Sequence, residues 1–252
     1  MTQKFAFVLV HGLLGFDKMG PSILSISYFR GIRNQLAQTY DNIHSPQIPA
    51  NGSLKQRAAA LASYLEKLDA DYICIIAHSM GGLDARYVIS HLDPKQKIKH
   101  LITVGTPHYG APLANWVINE PGFINGVLKK ISSPAIYDLT VESCKNFNQE
   151  VLDREDVYYE SYAGSRPPEE MAAWFQFQHW AQRMQSEYGS NDGQVTVNSA
   201  QWGHFNEPVK ADHFELIGWN VSRRNKQIKR PFKHKKFYQT MTESAYRRFK
   251  KQ

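Results

Sequence analysis

The sequence lacks the features that mark small secreted domains and membrane-spanning chains. Only two cysteines occur in 252 residues, too few for a disulfide framework, so we expect Cys74 and Cys144 to be reduced thiols. No apolar run approaches the roughly 18 residues that a spanning helix needs. No basic and then apolar leader opens the sequence. We therefore expect a cytoplasmic protein, or one exported without a cleaved leader.

Acidic residues are nearly missing from one part of the chain. Residues 221–252 contain twelve lysines and arginines against Glu243 alone, whereas the remainder holds 18 basic and 22 acidic residues. Such a basic C-terminal segment is compatible with peripheral contact of residues 223–251 with an anionic membrane surface. Nucleic acid is a less favoured partner, because no nucleic-acid-binding motif accompanies the charge. The alternative is a solvated last helix packed on the body.

The length suits a single domain spanning residues 1–252. Apolar runs alternate with segments of helical periodicity, such as 54–68 after the predicted N-cap Ser53. This alternation predicts an α/β fold, a mostly parallel sheet with helices on both faces. The predicted helices lie near 28–39, 54–68 and 80–91. The predicted strands lie near 5–10, 42–48, 72–77, 98–104 and 157–163, with a last one near 195–198 or 207–209.

The most informative stretch surrounds Ser79. The apolar strand 72–77 runs into His-Ser-Met-Gly-Gly, and a helical pattern follows. Strand, sharp turn and helix with a serine at the corner are typical of a nucleophile elbow, in which small residues flank the strained serine. Gly81 meets that requirement, while Ala77 stands where glycine is usual. The Met80 N–H would then face a developing oxyanion.

A second glycine-containing loop follows the first strand. Residues 5–10 are all apolar and lead into His11-Gly12-Leu13-Leu14. In serine hydrolases with this architecture, an early strand–helix loop supplies the other oxyanion donor. We therefore predict the Leu13 N–H as that donor. We also predict that His11, Gly12, Leu14 and His78 border the substrate site, with the His78 ring pointing away from Ser79.

Three motifs together resemble a known family. They are His-Gly-Leu-Leu-Gly-Phe-Asp at 11–17, Ala-His-Ser-Met-Gly-Gly-Leu-Asp-Ala-Arg-Tyr at 77–87, and Val-Gly-Thr-Pro-His-Tyr-Gly-Ala-Pro-Leu-Ala at 104–114. The sequence is similar to the bacterial true lipases of the α/β-hydrolase superfamily, which are triacylglycerol lipases. The likeness covers residues 5–115 and returns at 191–219. It implies an α/β-hydrolase fold and a Ser-Asp-His triad in that order.

Ten histidines compete for the role of general base. His213 is preferred because it lies late in the chain, in a polar loop that leads into an apolar helix start. His204 is the runner-up. The others have polar, structural or too-early contexts.

The predicted acid is Asp192. Asn-Asp-Gly at 191–193 forms a tight turn, and the family pattern places such an acid shortly before the histidine. A plain hairpin turn is the alternative reading. Asp212 adjoins His213 and is better suited to a capping role. Asp17 and Asp84 come too early, and we expect Asp84 to pair with Arg86 or a nearby loop.

Residues 111–150 are predicted to be an inserted helical cap. Apolar residues at helical spacing are broken there by proline and glycine. Either a lid over an acyl-binding groove or a packed accessory helix pair fits this pattern. Aromatic residues are also concentrated between Tyr158 and Trp180, where they either line a pocket or form core.

The resemblance also bears on metals. Larger members of the family bind a structural calcium near the acid and base loops, with an aspartate two residues after the histidine. Here Glu215 occupies that position, and Glu169 or Glu170 would have to supply the second carboxylate. We therefore expect no cofactor and no obligatory metal, with a structural calcium doubtful.

The expected function is that of a serine carboxylic-ester hydrolase of the lipase type. It would cleave triacylglycerol-like acyl esters through an acyl-enzyme. The alternatives are a phospholipase or lipid acyltransferase with the same triad, and an inactive hydrolase fold that binds a membrane or a partner.

Overall fold

Six parallel strands form the centre of the fold. The computed structural model describes residues 3–13, 28–132, 134–171, 175–219 and 232–251. The strands are β1 (Phe5–Val10), β2 (Ile43–His44), β3 (Tyr72–His78), β4 (Ile98–Val104), β5 (Tyr158–Tyr162) and β6 (His204–Phe205). Their spatial order is β2-β1-β3-β4-β5-β6, and all neighbours pair in parallel. The predicted α/β-hydrolase sheet is confirmed.

Strands β1, β3 and β4 are buried on both faces, which explains their unbroken apolar sequences. Val8, Ile75 and Leu101 are in register across the three strands and belong to one hydrophobic cluster. The next residues along each strand point to the other face and join a second cluster; they are Leu9, Ile76 and Ile102. The core therefore has two layers, one on each side of the sheet.

Helices cover both faces of the sheet. In chain order they are α1 (Ile32–Leu36), α2 (Leu54–Glu66), α3 (Gly81–Tyr87), α4 (Pro112–Asn119), α5 (Phe123–Ser132), α6 (Ala135–Asp138), α7 (Val141–Glu150), α8 (Phe175–Tyr188) and α9 (His234–Phe249). Helices α2 and α3 pack on one face, and α1 and α9 on the other. The predicted N-cap Ser53 forms a capping box with Gln56. No helix of the described residues is long and apolar enough to cross a membrane.

Some predicted boundaries were wrong. Helix α1 covers only five residues, because Gly31 adopts a left-handed φ of 68° and a turn follows Leu36. The helix predicted near 80–91, by contrast, is present as α3 followed by a single π-helical turn, Val88–Leu92.

The last strand also lies elsewhere than predicted. It is His204–Phe205, not 195–198 or 207–209. Residues 195–198 fold back on the Asn191 turn, where the Val195 N–H donates to Asp192 and Asn191 bridges Thr196. Val209 makes one isolated bridge to Gly164. Valine-rich sequence therefore serves a loop here rather than the sheet.

The segment predicted as a cap contains helices α4 to α7. The N–H of Ala111 donates to the Leu139 carbonyl at 2.9 Å, so the excursion formed by α4 to α6 begins and ends at neighbouring points. Ala114 and Val117 of α4 and Ile136 of α6 pack with Met80 and Leu83 of the elbow. The excursion therefore lies over the turn that carries Ser79.

Candidate active site

Ser79 occupies a strained turn between β3 and α3. Its φ is +55°, a left-handed value that non-glycine residues rarely adopt. Two hydrogen bonds hold the turn: the Ser79 N–H donates to the Val104 carbonyl at 3.0 Å, and the Thr106 hydroxyl donates to the Ser79 carbonyl at 2.8 Å. A Cβ on Gly81 would lie 2.8 Å from the Val10 carbonyl oxygen, so glycine is required there. This is the geometry of a nucleophile elbow.

The loop after β1 approaches the same serine. A Cβ on Gly12 would lie 2.7 Å from the Ser79 Cβ, so only glycine permits this closeness. Leu13 and Ser79 then line one cavity. Within the described part of the chain, neither the Leu13 N–H nor the Met80 N–H donates to a protein acceptor. Two N–H groups in the loops beside the serine therefore have no protein acceptor among the described residues.

Asp192 and His213 form a buried pair. The His213 Nδ1 lies 2.7 Å from the Asp192 Oδ2, and the side chains are 5% and 1% exposed. The other carboxylate oxygen, Oδ1, accepts the N–H groups of Gln194 and Val195 at 2.9 and 2.7 Å. Because the carboxylate accepts a hydrogen bond from the Nδ1–H group of His213, the Nε2 atom of that ring keeps a lone pair that can take a proton.

Ser79 and His213 line the same cavity. It has a volume of about 420 Å³ and is lined largely by apolar side chains from α4, α5, α6 and α8. Examples are Val117, Leu128, Ile136 and Trp180. Among the described lining residues there is no lysine, arginine, aspartate or glutamate. A ligand with an uncharged apolar chain and one polar group near Ser79 would match this lining.

Both ring nitrogens of His78 are engaged by protein groups. The Nε2 lies 3.1 Å from the His213 carbonyl oxygen, and the Nδ1 lies 2.7 Å from the Tyr28 hydroxyl. Burial lowers the pKa of His78 well below 6.5, and the nearby His213 adds to the effect. His78 and Tyr28 also line the cavity. The sequence indicated nothing about Tyr28, which lies 16 residues from its partner Gly12.

The remaining predicted site residues have different positions. His11 does not border the cavity among the described residues. Its ring is 2% exposed, and its nitrogens lie near the Gly12 carbonyl and the Ile48 N–H. We therefore no longer expect His11 to contact substrate. Leu14 lies outside the described residues, as does Asp17.

His204, the second candidate for the base, and Asp212, which adjoins His213, have other surroundings. His204 is on β6, in register with Glu160, and is exposed. Asp212 caps the short helical turn after His213, accepting the Glu215 N–H at 2.8 Å.

Asp84 pairs with Arg57 rather than with Arg86, contrary to our expectation. The Arg57 Nη2 lies 2.7 Å from the Asp84 Oδ2, and both side chains are fully buried. Arg57 also donates to the His11 carbonyl at 2.7 Å. Burial raises the pKa of Asp84 to about 6, although the Arg57 charge opposes this shift. The buried pair therefore links the loop after β1 to helix α3.

A second buried arginine occupies the acidic region near His213. The Nε of Arg166 donates to Glu215 at 2.7 Å, its Nη1 to Glu170 at 2.9 Å and its Nη2 to the Lys210 carbonyl at 2.9 Å. Glu215 and Glu170 are two of the carboxylates that a calcium site predicted from the sequence would need. In the described residues, no group of three or more histidine, cysteine or acidic residues is placed to hold a metal ion.

Known proteins resemble this chain in sequence and in fold. A family model described as "PGAP1-like alpha/beta domain" matches residues 58–123. Triacylglycerol lipase 2 of Saccharomyces cerevisiae is 32% identical over 218 residues, which cover 81% of this chain and 66% of that protein. A triacylglycerol lipase of Pseudomonas fragi is 33% identical over 119 residues, 46% of this chain and 39% of that protein. The chain thus spans less than two thirds of these relatives.

A solved structure has a similar fold over most of the length of both chains. The mature lipase BlEst2 of Bacillus licheniformis superposes with a TM-score of 0.68 at 22% identity, covering 85% of this chain and 87% of that one. The fold and the elbow together are those of the α/β-hydrolase fold. In sequence, the chain is similar to proteins named triacylglycerol lipases.

Proposed function

We propose that this protein is a serine carboxylic-ester hydrolase that cleaves neutral acyl-lipid esters. One observation carries the proposal: the strained Ser79 shares an apolar cavity with His213, which Asp192 holds through Nδ1. The relatives named as triacylglycerol lipases support the same substrate class.

In the proposed reaction, His213 Nε2 takes the proton of the Ser79 hydroxyl as its oxygen attacks the ester carbonyl. The Leu13 and Met80 N–H groups stabilise the tetrahedral oxyanion. His213 then donates the proton to the departing alcohol, which leaves an acyl-enzyme. Water, deprotonated by the same imidazole, attacks that ester and releases the fatty acid with Ser79 restored. Asp192 fixes the tautomer throughout and stabilises the imidazolium.

The lining favours a neutral ester over a phospholipid. A phosphate group in a water-poor cavity needs a cation or several donors, and the described lining has no lysine or arginine. The phospholipase alternative is therefore disfavoured. The acyltransferase alternative differs only in whether an alcohol replaces water in the second half-reaction.

We also propose that helices α4 to α6 act as a lid that meets the lipid surface. The inward side of α5 places Leu128 in the cavity wall. Its outward side exposes Ile124, Val127 and Ile131 to 46%, 43% and 44%. A helix that carries apolar residues both in the cavity wall and on its exposed surface is suited to cover a cavity in water and to contact lipid when lipid is present.

Hydrolysis of p-nitrophenyl esters of increasing chain length tests the activity, with Ser79→Ala as the matched variant. We expect turnover by the wild type and its loss in Ser79→Ala. An inactive wild type, or an active Ser79→Ala, would refute the enzyme. Emulsified triacylglycerol should be cleaved faster than phosphatidylcholine. Transfer of the acyl group to an added alcohol in preference to water would favour the acyltransferase.

The basic end of α9 is the feature that supports an anionic membrane as a partner. Arg247, Arg248 and Lys251 line one groove with Ser244. None of the three cations forms an ion pair within the described residues. Arg248 stacks 3.5 Å above the ring of Tyr158, the first residue of β5. The groove therefore lies near the end of the sheet where the strands begin, whereas Ser79 follows the last residue of β3 at the other end.

Co-sedimentation with vesicles tests this contact. We expect the wild type to bind vesicles rich in phosphatidylserine more strongly than neutral ones, and salt to weaken binding. Arg247→Glu/Arg248→Glu should abolish the difference, whereas Lys67→Glu, on the other face of the sheet, should not. Equal binding to both vesicle types, or tighter binding to duplex DNA, would contradict the proposal.

A further inference from the structure

We infer that Tyr28 and His78 are positioning residues that hold the oxyanion loop and the base loop at a fixed separation. The inference rests on the proposed ester hydrolysis and adds two residues to its machinery. Neither residue exchanges a proton with substrate in the mechanism above. Their role follows from one hydrogen-bonded chain, Gly12–Tyr28–His78–His213.

The direction of each bond in this chain is fixed by chemistry. The Gly12 N–H donates to the Tyr28 hydroxyl oxygen at 3.1 Å. The His78 Nε2 lies 3.1 Å from the His213 carbonyl oxygen, and a carbonyl can only accept, so Nε2 must carry the hydrogen. In the neutral ring, Nδ1 is then a bare acceptor. The Tyr28 hydroxyl, 2.7 Å away, must therefore donate to it.

Protonation of His78 would break this chain, because both nitrogens would then be donors and the Tyr28 hydroxyl would face an N–H. Burial lowers the pKa of His78 well below 6.5. Burial also raises the pKa of Tyr28 above its usual value of 10.0, so its hydroxyl stays protonated. The same single arrangement of hydrogens is therefore kept over the pH range in which an ester hydrolase with a histidine base works.

Both ends of the chain are main-chain groups beside the predicted reacting atoms. Gly12 precedes the predicted oxyanion donor Leu13 and packs against Ser79. The other end is the carbonyl of His213 itself, whose imidazole lies 4.5 Å from the His78 ring, centroid to centroid. A shift of either loop would strand buried polar groups without partners. Tyr28 and His78 thereby set the distance between the oxyanion loop and the base.

The experiment compares Tyr28→Phe with Tyr64→Phe. Tyr64 donates the same kind of bond, to the His44 Nδ1 at 2.9 Å, away from the cavity. For Tyr28→Phe we expect kcat on a soluble p-nitrophenyl ester to fall roughly ten- to a hundredfold with KM nearly unchanged, because a misplaced oxyanion loop weakens the transition state and not ground-state binding. A trifluoromethyl ketone, which forms a tetrahedral adduct, should lose affinity by a similar factor. Tyr64→Phe should leave both quantities unchanged.

His78 variants supply the second arm. His78→Gln retains a side-chain N–H that can reach the His213 carbonyl, whereas His78→Leu fills the space without a donor. We expect His78→Gln to be more active than His78→Leu. The effects of Tyr28→Phe and His78→Leu should not add, because each breaks the same chain.

The outcomes separate this inference from the proposed function. An inactive wild type refutes the ester hydrolase. In that case the ¹⁵N chemical shifts of His78 still report on the hydrogen-bonded chain. An Nδ1–H tautomer, or a His78 ring that titrates between pH 5 and 8, would refute that hydrogen-bonded chain. If the wild type is active, unchanged kcat and ketone affinity in Tyr28→Phe would refute positioning. A rise in KM alone would assign Tyr28 to substrate contact instead.

Discussion

Two walls of one cavity are built on opposite principles. The wall that carries Ser79 and His213, with Asp192 bonded behind His213, is a set of turns held by directional hydrogen bonds. The opposite wall, from α4 to α6, is held by apolar contacts and exposes further apolar residues outward. Directional bonds fix atoms to within fractions of an ångström, whereas apolar packing tolerates sliding. The proposed reaction needs atoms at fixed positions, which the first wall provides. The second wall can adapt to acyl chains of different length.

The largest expected effect comes from breaking the polar wall at the acid. Asp192→Asn can donate from its amide nitrogen, so it favours the wrong tautomer of His213. We expect kcat to fall on the order of 10⁴-fold with folding intact, as in other serine triads. Steady-state kinetics and circular dichroism check this. A loss below tenfold would mean that another group orients His213.

Next in size is removal of the buried cation that joins the β1 loop to α3. Arg57→Met leaves Asp84 buried without a partner, which typically destabilises a fold by about 3–5 kcal/mol. Urea unfolding of Arg57→Met should show this loss. The double variant Arg57→Met/Asp84→Leu should recover part of it, since no lone charge remains. A single variant as stable as the wild type would contradict the role of the pair.

The same pair gives a pH dependence. Asp84 has its pKa raised from 3.8 to about 6, so the folded state binds its proton more tightly than the unfolded chain. Its contribution to the free energy of unfolding is therefore full below pH 3.8, is lost as pH rises from there to about 6, and is constant above. Comparison with Asp84→Asn isolates it. Stability of the wild type relative to the variant should fall across that window; a rise would show the opposite shift.

A smaller effect is expected on the apolar wall. Ile124→Ser/Ile131→Ser removes apolar surface from the outer side of α5. We expect several-fold slower hydrolysis of emulsified triacylglycerol and unchanged hydrolysis of a soluble short-chain ester. Leu152→Ser is the control, because Leu152 is 68% exposed but lies after α7, outside the proposed lid. Equal losses on both substrates would mean that α5 supports the site rather than the lipid contact.

The smallest expected effect is that of a chelator. The Arg166 guanidinium already lies between Glu170 and Glu215. We therefore propose that it supplies the positive charge that this acidic region needs, and we expect EDTA to change neither activity nor the melting temperature. Restoration of either by added calcium would overturn this view. Arg166→Met should be less stable, since it leaves Glu215 buried and unpaired.

Sequence alone predicted features that a few neighbouring residues determine. Ser79 and the Asp192 turn were found because strained turns and tight Asn-Asp-Gly turns restrict residue types. The central strands were found because burial on both faces demands unbroken apolar runs. Each signal is local, so a few neighbouring residues suffice to express it.

The missed features depend on contacts between distant residues. Tyr28 and His78 are 50 residues apart, and Arg57 and Asp84 are 27 apart. Nothing near Asp84 in the sequence favours Arg57 over Arg86. The last strand was misplaced because Val195 and Val197 suggest a strand, while the needs of the Asp192 carboxylate bend that segment into a turn. Tertiary demand overrode local propensity there.

The hydrogen bond between Ala111 and Leu139 has a consequence for engineering. Because the two residues adjoin, the stretch between them is a cassette whose ends a transplanted segment of different length could join without moving the sheet. A set of variants that differ only in this segment would keep the same proposed catalytic residues and change the cavity wall beside them. Selectivity for the length of the substrate chain could then be varied independently of the proposed catalytic residues.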